Sequence, residues 1–97
     1  MPLTGKQRRH LRALGHHLAV VVQIGKEGVS DTVVAAADQA LADHELIKVK
    51  VGQTAEVDRL AAATELARRT SSQIAQILGK TFLLYRAHPD QPVIALP

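Results

Sequence analysis

Apolar and polar positions along this chain follow two periods, and the places where one gives way to the other mark its elements. Leu11, Leu14 and Leu18 recur at three- and four-residue spacing, the stripe of an amphipathic helix with that side in the core. Thr4, with Gln7 three residues later, makes a capping-box start, and Gly15 before His16-His17 predicts the end. Leu18 to Ile24 is a nearly continuous apolar run, which predicts a short strand buried on both faces. Ser30 is a good N-cap for a second helix to about Asp43, with Val33, Val34, Ala37, Ala40 and Leu41 inward. From Leu46 the period is two: Ile47, Val49 and Val51 face one way, Leu46, Lys48 and Lys50 the other. Gly52-Gln53-Thr54 breaks the strand. Thr54 is the predicted cap of a third helix reaching about Thr70, with Val57, Leu60, Ala61, Thr64 and Ala67 inward. Ser72–Leu78 and Thr81–Arg86 read as strands around Gly79-Lys80, whose leading glycine suits a type II′ hairpin. Residues 87–97 hold three of the four prolines and predict an extended tail pairing through Val93-Ile94.

The order is αβαβαββ. Strands separated by helices imply parallel crossovers, and the closing hairpin forces an antiparallel pair. The expected fold is therefore α/β: a two-layer single domain over residues 1–97 with a four-stranded mixed sheet. Ninety-seven residues leave no room for a second independent core. Without cysteine there is no disulfide framework and no thiol chemistry, which suits a reducing, cytoplasmic setting. No apolar run is long enough for a membrane span.

Charge changes the picture more than composition does. The net charge is +3, but the cations concentrate early: Lys6, Arg8, Arg9, Arg12 and Lys26 precede the first acid, Glu27. Such a patch suits a polyanion; a solvated helix face is the plain alternative. Lys48 and Lys50 are likewise either protection of a sheet face or phosphate contacts. Arg68-Arg69 is explained by the negative end of a helix dipole. Tyr85-Arg86 is an aromatic–cation pair able to stack on a base, or a tyrosine packed on the sheet.

The candidate chemistry lies at Gly25-Lys26-Glu27-Gly28. A strand feeds this G-x-x-G loop into a helix N-terminus, where unpaired N–H groups and the macrodipole favour an anion. KH-type RNA modules clamp backbone with such a loop, and the same spacing also serves as a tight turn. Glu27 and Asp31 oppose a bound phosphate. No metal site is expected, because adjacent helical residues such as His16 and His17 point about 100° apart. The loop lacks Walker A spacing and no acid–base constellation stands out, so neither an enzyme nor a cofactor is expected. A small phosphate-processing enzyme and a module docking an acidic protein through the basic helix are the alternatives.

Three segments in order carry a resemblance: Gly25-Lys26-Glu27-Gly28, the run from His44 to Val51, and Ile77 to Arg86 with its Gly79-Lys80-Thr81 and Leu84-Tyr85-Arg86. With the Leu3–Gln7 opening and the closing Ile94–Pro97, they resemble the CRM domain (chloroplast RNA splicing and ribosome maturation), in its stand-alone bacterial YhbY-type form. The resemblance implies a fold similar to the C-terminal domain of translation initiation factor three, KH-like in its loop. It implies RNA binding without catalysis and association with precursors of the large ribosomal subunit; a monomer is expected. Gly25, Lys26, Glu27 and Gly28 then occupy the RNA-contacting loop. Lys6, Arg8, Arg9 and Arg12 supply the adjoining surface, and Lys48, Lys50, Lys80 and Arg86 are further candidate contacts.

Overall fold

The computed structural model describes residues 2–53, 55 and 58–97. Its elements follow the expected order: α1 (Gly5–Gly15), β1 (Val20–Ile24), α2 (Asp31–His44), β2 (Leu46–Val51), α3 (Arg59–Thr70), β3 (Gln73–Leu78) and β4 (Thr81–Tyr85). The strands form one mixed sheet in the order β1-β2-β4-β3. β1 and β2 are parallel, and β4 is antiparallel to both β2 and β3. No helix among the described residues is long and apolar enough to cross a membrane.

The sheet is the middle of three layers rather than one of two. Its period-two alternation supplies two apolar faces. Ile47, Val49, Phe82 and Leu84 pack with Ala37 and Leu41 of α2 and Ala63 and Leu66 of α3. The opposite face, through Leu46, Ala75, Leu83 and Tyr85, takes Leu3 and Leu11 from the first helical segment and Ile94 and Leu96 from the tail. Lys48 and Lys50 share that second face by alternation, so α1 and the two lysines lie on the same side.

Local chemistry explains most boundaries. Thr4 and Gln7 form the reciprocal capping box on α1, and Ser30 caps α2 by accepting from the Val33 N–H. Gly79 has φ +59 at the first position of its turn, the backbone a type II′ hairpin requires. The third helix departs from expectation. Its cap is Asp58, which accepts from Leu60 and Ala61 N–H, and its inward face is Ala62, Ala63, Leu66 and Ala67. Leu60, Ala61 and Thr64 are exposed, so the predicted phase is wrong; Thr54 and Val57 lie outside the described residues.

Two apolar runs also differ. β1 is an edge strand, and Val20 and Val21 face outward instead of being buried on both faces. Of the predicted stripe, Leu11 is buried but Leu14 and Leu18 are not. The inward position one turn after Leu11 is Gly15, which touches the tip of Leu83, and the helix stops there, before Leu18. A Cβ on Gly15 would run into that side chain. Gly15→Ala should therefore destabilise: overpacking costs about 1–3 kcal/mol, and alanine's helix propensity offsets at most about 1 kcal/mol. Denaturant midpoints of the two proteins measure this, and a gain in stability would mean that Leu83 moves aside freely.

The tail is extended but forms no strand. The buried Glu45 carboxylate holds it, accepting from the N–H groups of His88 (2.7 Å), Val93 (2.8 Å) and Ile94 (2.8 Å). The expected Val93–Ile94 pairing is thus made to a side chain, not to a neighbouring strand.

Candidate nucleic-acid interface

The G-x-x-G segment is a closed turn between β1 and α2. Gly28 N–H donates to the Gly25 carbonyl (3.0 Å), and Ser30 N–H donates to that of Gly28 (3.0 Å). The two glycines are not equivalent. Gly28 is buried with φ +70, left-handed backbone that a side chain rarely adopts. Gly25 has ordinary backbone, and a Cβ there would meet nothing within 4 Å. The fold requires Gly28; it places no demand on Gly25, whose bare main chain is open to approach from outside. Lys26 and Glu27 project at the tip, both exposed.

Arg69 braces the exit of this turn. Its guanidinium donates to the Val29 carbonyl (3.1 Å) and to Asp31 (2.6 Å). The carboxylate expected to oppose an anion at the α2 N-terminus is thus paired. The string Arg68-Arg69 points to the helix dipole alone, since the partners of Arg69 are 38 and 40 residues away.

Cations divide by face. On the α2–α3 side arginines are used internally: Arg59 donates to the Gly79 carbonyl, Arg68 pairs with Glu65, Arg69 with Asp31 and Arg86 with Asp38. The other eight, Lys6, Arg8, Arg9, Arg12, Lys26, Lys48, Lys50 and Lys80, form no ion pair among the described residues. Neither α1 nor any strand contains an acid, so the cations of α1 and β2 have no acid within their own elements; Lys80, in the turn, shares a depression with Asp58 and Arg59. Arg9 and Arg12 share a depression with Gln76 of β3. Lys50 shares another with Gln23, Gln53 and Lys80, and Lys50 pairs in register with Gln23, two residues before Gly25. The two depressions place cations where α1 meets β3 and at the end of β2 nearest the loop. Arg8 also donates to the Leu3 carbonyl (3.0 Å), and Lys48 is half-buried.

Arg86 stands apart from this surface. It donates to the Asp38 carboxylate (2.6 Å) and to the Thr70 carbonyl (2.7 Å), tying the end of β4 to both helices of the other layer. Tyr85 is buried rather than offered for stacking, and burial followed by the Glu45 charge raises its pKa. Burial would also raise the pKa of Glu45, but hydrogen bonds from His88, Ile94 and Val93 and the charge of His88 outweigh it and hold it below the ordinary value.

Helices on both faces of a mixed sheet, a glycine turn at one end and one cationic face define a small α/β module built to present a surface. The chain belongs to the CRS1/YhbY (CRM) domain family, whose profile matches residues 3–86. It is 42% identical over 95 residues to the Probable RNA-binding protein YqeI of Bacillus subtilis, covering 98% of this chain and 99% of that one. To the Probable RNA-binding protein PA4753 of Pseudomonas aeruginosa it is 39% identical over 89 residues, 92% of this chain and 86% of the other. The solution structure of SAV1595 from Staphylococcus aureus superimposes with a TM-score of 0.83 at 38% identity, covering 98% of this chain and 99% of that one.

Proposed function

We propose that this protein binds structured RNA, without catalysing a reaction, as an accessory factor on precursors of the large ribosomal subunit. The names of its relatives and the family resemblance support the RNA and its ribosomal setting. The observation that carries the reading is the set of unpaired cations on α1 and β2, with Lys50 in register two residues from a Gly25 that has no internal reason to be glycine.

The unpaired N–H groups at the start of α2, beside the turn, receive a backbone phosphate, and Lys26 and Lys50 flank it. Arg9, Arg12, Lys48 and Lys80 supply the salt-sensitive attraction that fixes orientation on the polyanion. With Tyr85 and Phe82 both buried, no phenyl or phenol ring is offered to bases, so recognition rests mainly on backbone and shape. The domain acts in the cytoplasm as a monomer.

The test separates loop chemistry from loop folding. Gly25→Asp places a negative charge in open space, so the thermal midpoint should hold while affinity for a ribosomal RNA fragment falls about tenfold, or about 1.4 kcal/mol. Gly28→Ala forces a side chain into left-handed backbone and should cost about 1–2 kcal/mol of stability. Unchanged RNA affinity in Gly25→Asp would reduce the loop to a turn.

A further inference from the structure

Four of the seven large apolar side chains left exposed among the described residues sit together where α1 ends and β1 begins: Leu14 (41% exposed), Leu18 (36%), Val20 (40%) and Val21 (51%). Leu14, Leu18 and Val21 wall an open hollow of about 360 Å³, floored by Leu46 and closed on the tail side by Ile94. β1 itself is the end of the sheet, with no strand on its outer edge among the described residues. An unpaired edge presents a row of N–H and C=O groups that an extended chain can complete. Apolar pocket and free edge together fit a strand that hydrogen-bonds to β1 and sets alternate side chains into the hollow.

Charge narrows the occupant. Lys48 and His44 line the hollow, His16 and His17 follow the Leu14 turn, and no Asp or Glu is among the lining residues. A second copy of this chain would bring the same Lys48 to the rim and set like charges against each other. An RNA strand gains little from walls that are mainly aliphatic, His44 being the one ring among the lining residues. We propose that β1 and this hollow receive an extended, acidic and apolar segment of a partner protein, adding a fifth strand to the sheet. The hollow adjoins the proposed RNA surface at Lys48, whereas Arg9 and Arg12 share a separate depression with β3.

The probe is a short synthetic peptide alternating valine with glutamate, beside a control carrying lysine at the glutamate positions. The intact protein should bind the glutamate peptide saturably and the lysine peptide at least about tenfold more weakly, at low salt where charge complementarity is least screened. Backbone amides of β1 should gain protection from hydrogen exchange in the complex. Leu14→Ser with Leu18→Ser should weaken the peptide about tenfold while leaving the thermal midpoint and RNA affinity in place, because both side chains are exposed. Absence of saturable binding, equal binding of the lysine peptide, or indifference to the serine variants would overturn the proposal. Concentration-dependent dimerisation that protects β1 would assign the edge to a second copy, and protection of β1 by structured RNA alone would assign it to RNA; either result rejects a partner-protein strand.

Discussion

Replacing Arg9, Arg12 and Lys50 together by glutamine is expected to weaken RNA binding on the order of a hundredfold at moderate salt, with the fold intact. These side chains are exposed and make no ion pair among the described residues, so neutralising them removes attraction to phosphate without orphaning an internal partner. The salt dependence is the sharper readout: each phosphate left without its cation should lower the slope of log K against log salt by about one. Arg68→Gln, on the opposite layer and paired with Glu65, is the control and should change neither quantity. If the triple variant binds with wild-type affinity and slope, the cationic face is only solvated surface. If Arg68→Gln is equally damaging, the interface lies on the α2–α3 side.

Glu45→Ala should be the most destabilising change outside the apolar core, by about 2–4 kcal/mol, since hydrogen bonds to a charged acceptor are the strong ones. Glu45 sits at φ +64, a conformation that costs a side chain of this kind energy, yet its carboxylate gathers three N–H groups from residues 43 to 49 positions away. Glu45→Gly relieves the backbone and loses the carboxylate. If it too is destabilising, the carboxylate outweighs the strain. The pKa direction sets the pH behaviour. Because the folded carboxyl lies below its ordinary value of 4.5, its stabilisation is complete above that value and is lost as the pH falls through the folded value. Wild type and Glu45→Gln should therefore differ in denaturant midpoint at neutral pH and converge in acid, with amide exchange at Val93 and Ile94 accelerating in step. A gap independent of pH would show that the tail is held by Ile94 and Leu96 packing alone.

Where structure depends on near neighbours, the chain is readable. The capping box at Thr4 and Gln7, the Ser30 cap, the alternation of β2 and the Gly79 turn are each set within a few residues. The misreadings come from long-range assembly. A continuous apolar run reads as doubly buried, but Val20 and Val21 border a hollow because no strand follows β1 in the sheet. Leu60 reads as core and is exposed because alanines let α3 approach the sheet closely on another side. The site divides the same way. The loop and the basic first helix are visible as strings, while the joining of Arg9, Arg12 and Lys50 on one face depends on α1 lying opposite α2 and α3. Arg86 reads as one of the surface cations, and only the distant Asp38 and Thr70 reveal its internal use.

The strand order also bears on how the chain acquires its structure during synthesis. β4 is the last of the four strands in sequence, yet it lies between β2 and β3 and pairs with both; Leu46 finds its partner only at Tyr85. Until residue 85 has emerged, β2 has one neighbour and β3 has none, and Phe82 and Leu84 are missing from the centre of the apolar layer. Pairings this distant in sequence slow the rate-limiting closure. The four-stranded sheet therefore closes only once residue 85 has emerged, and a nascent chain stopped before Thr81 leaves β2 and β3 with nothing to join them.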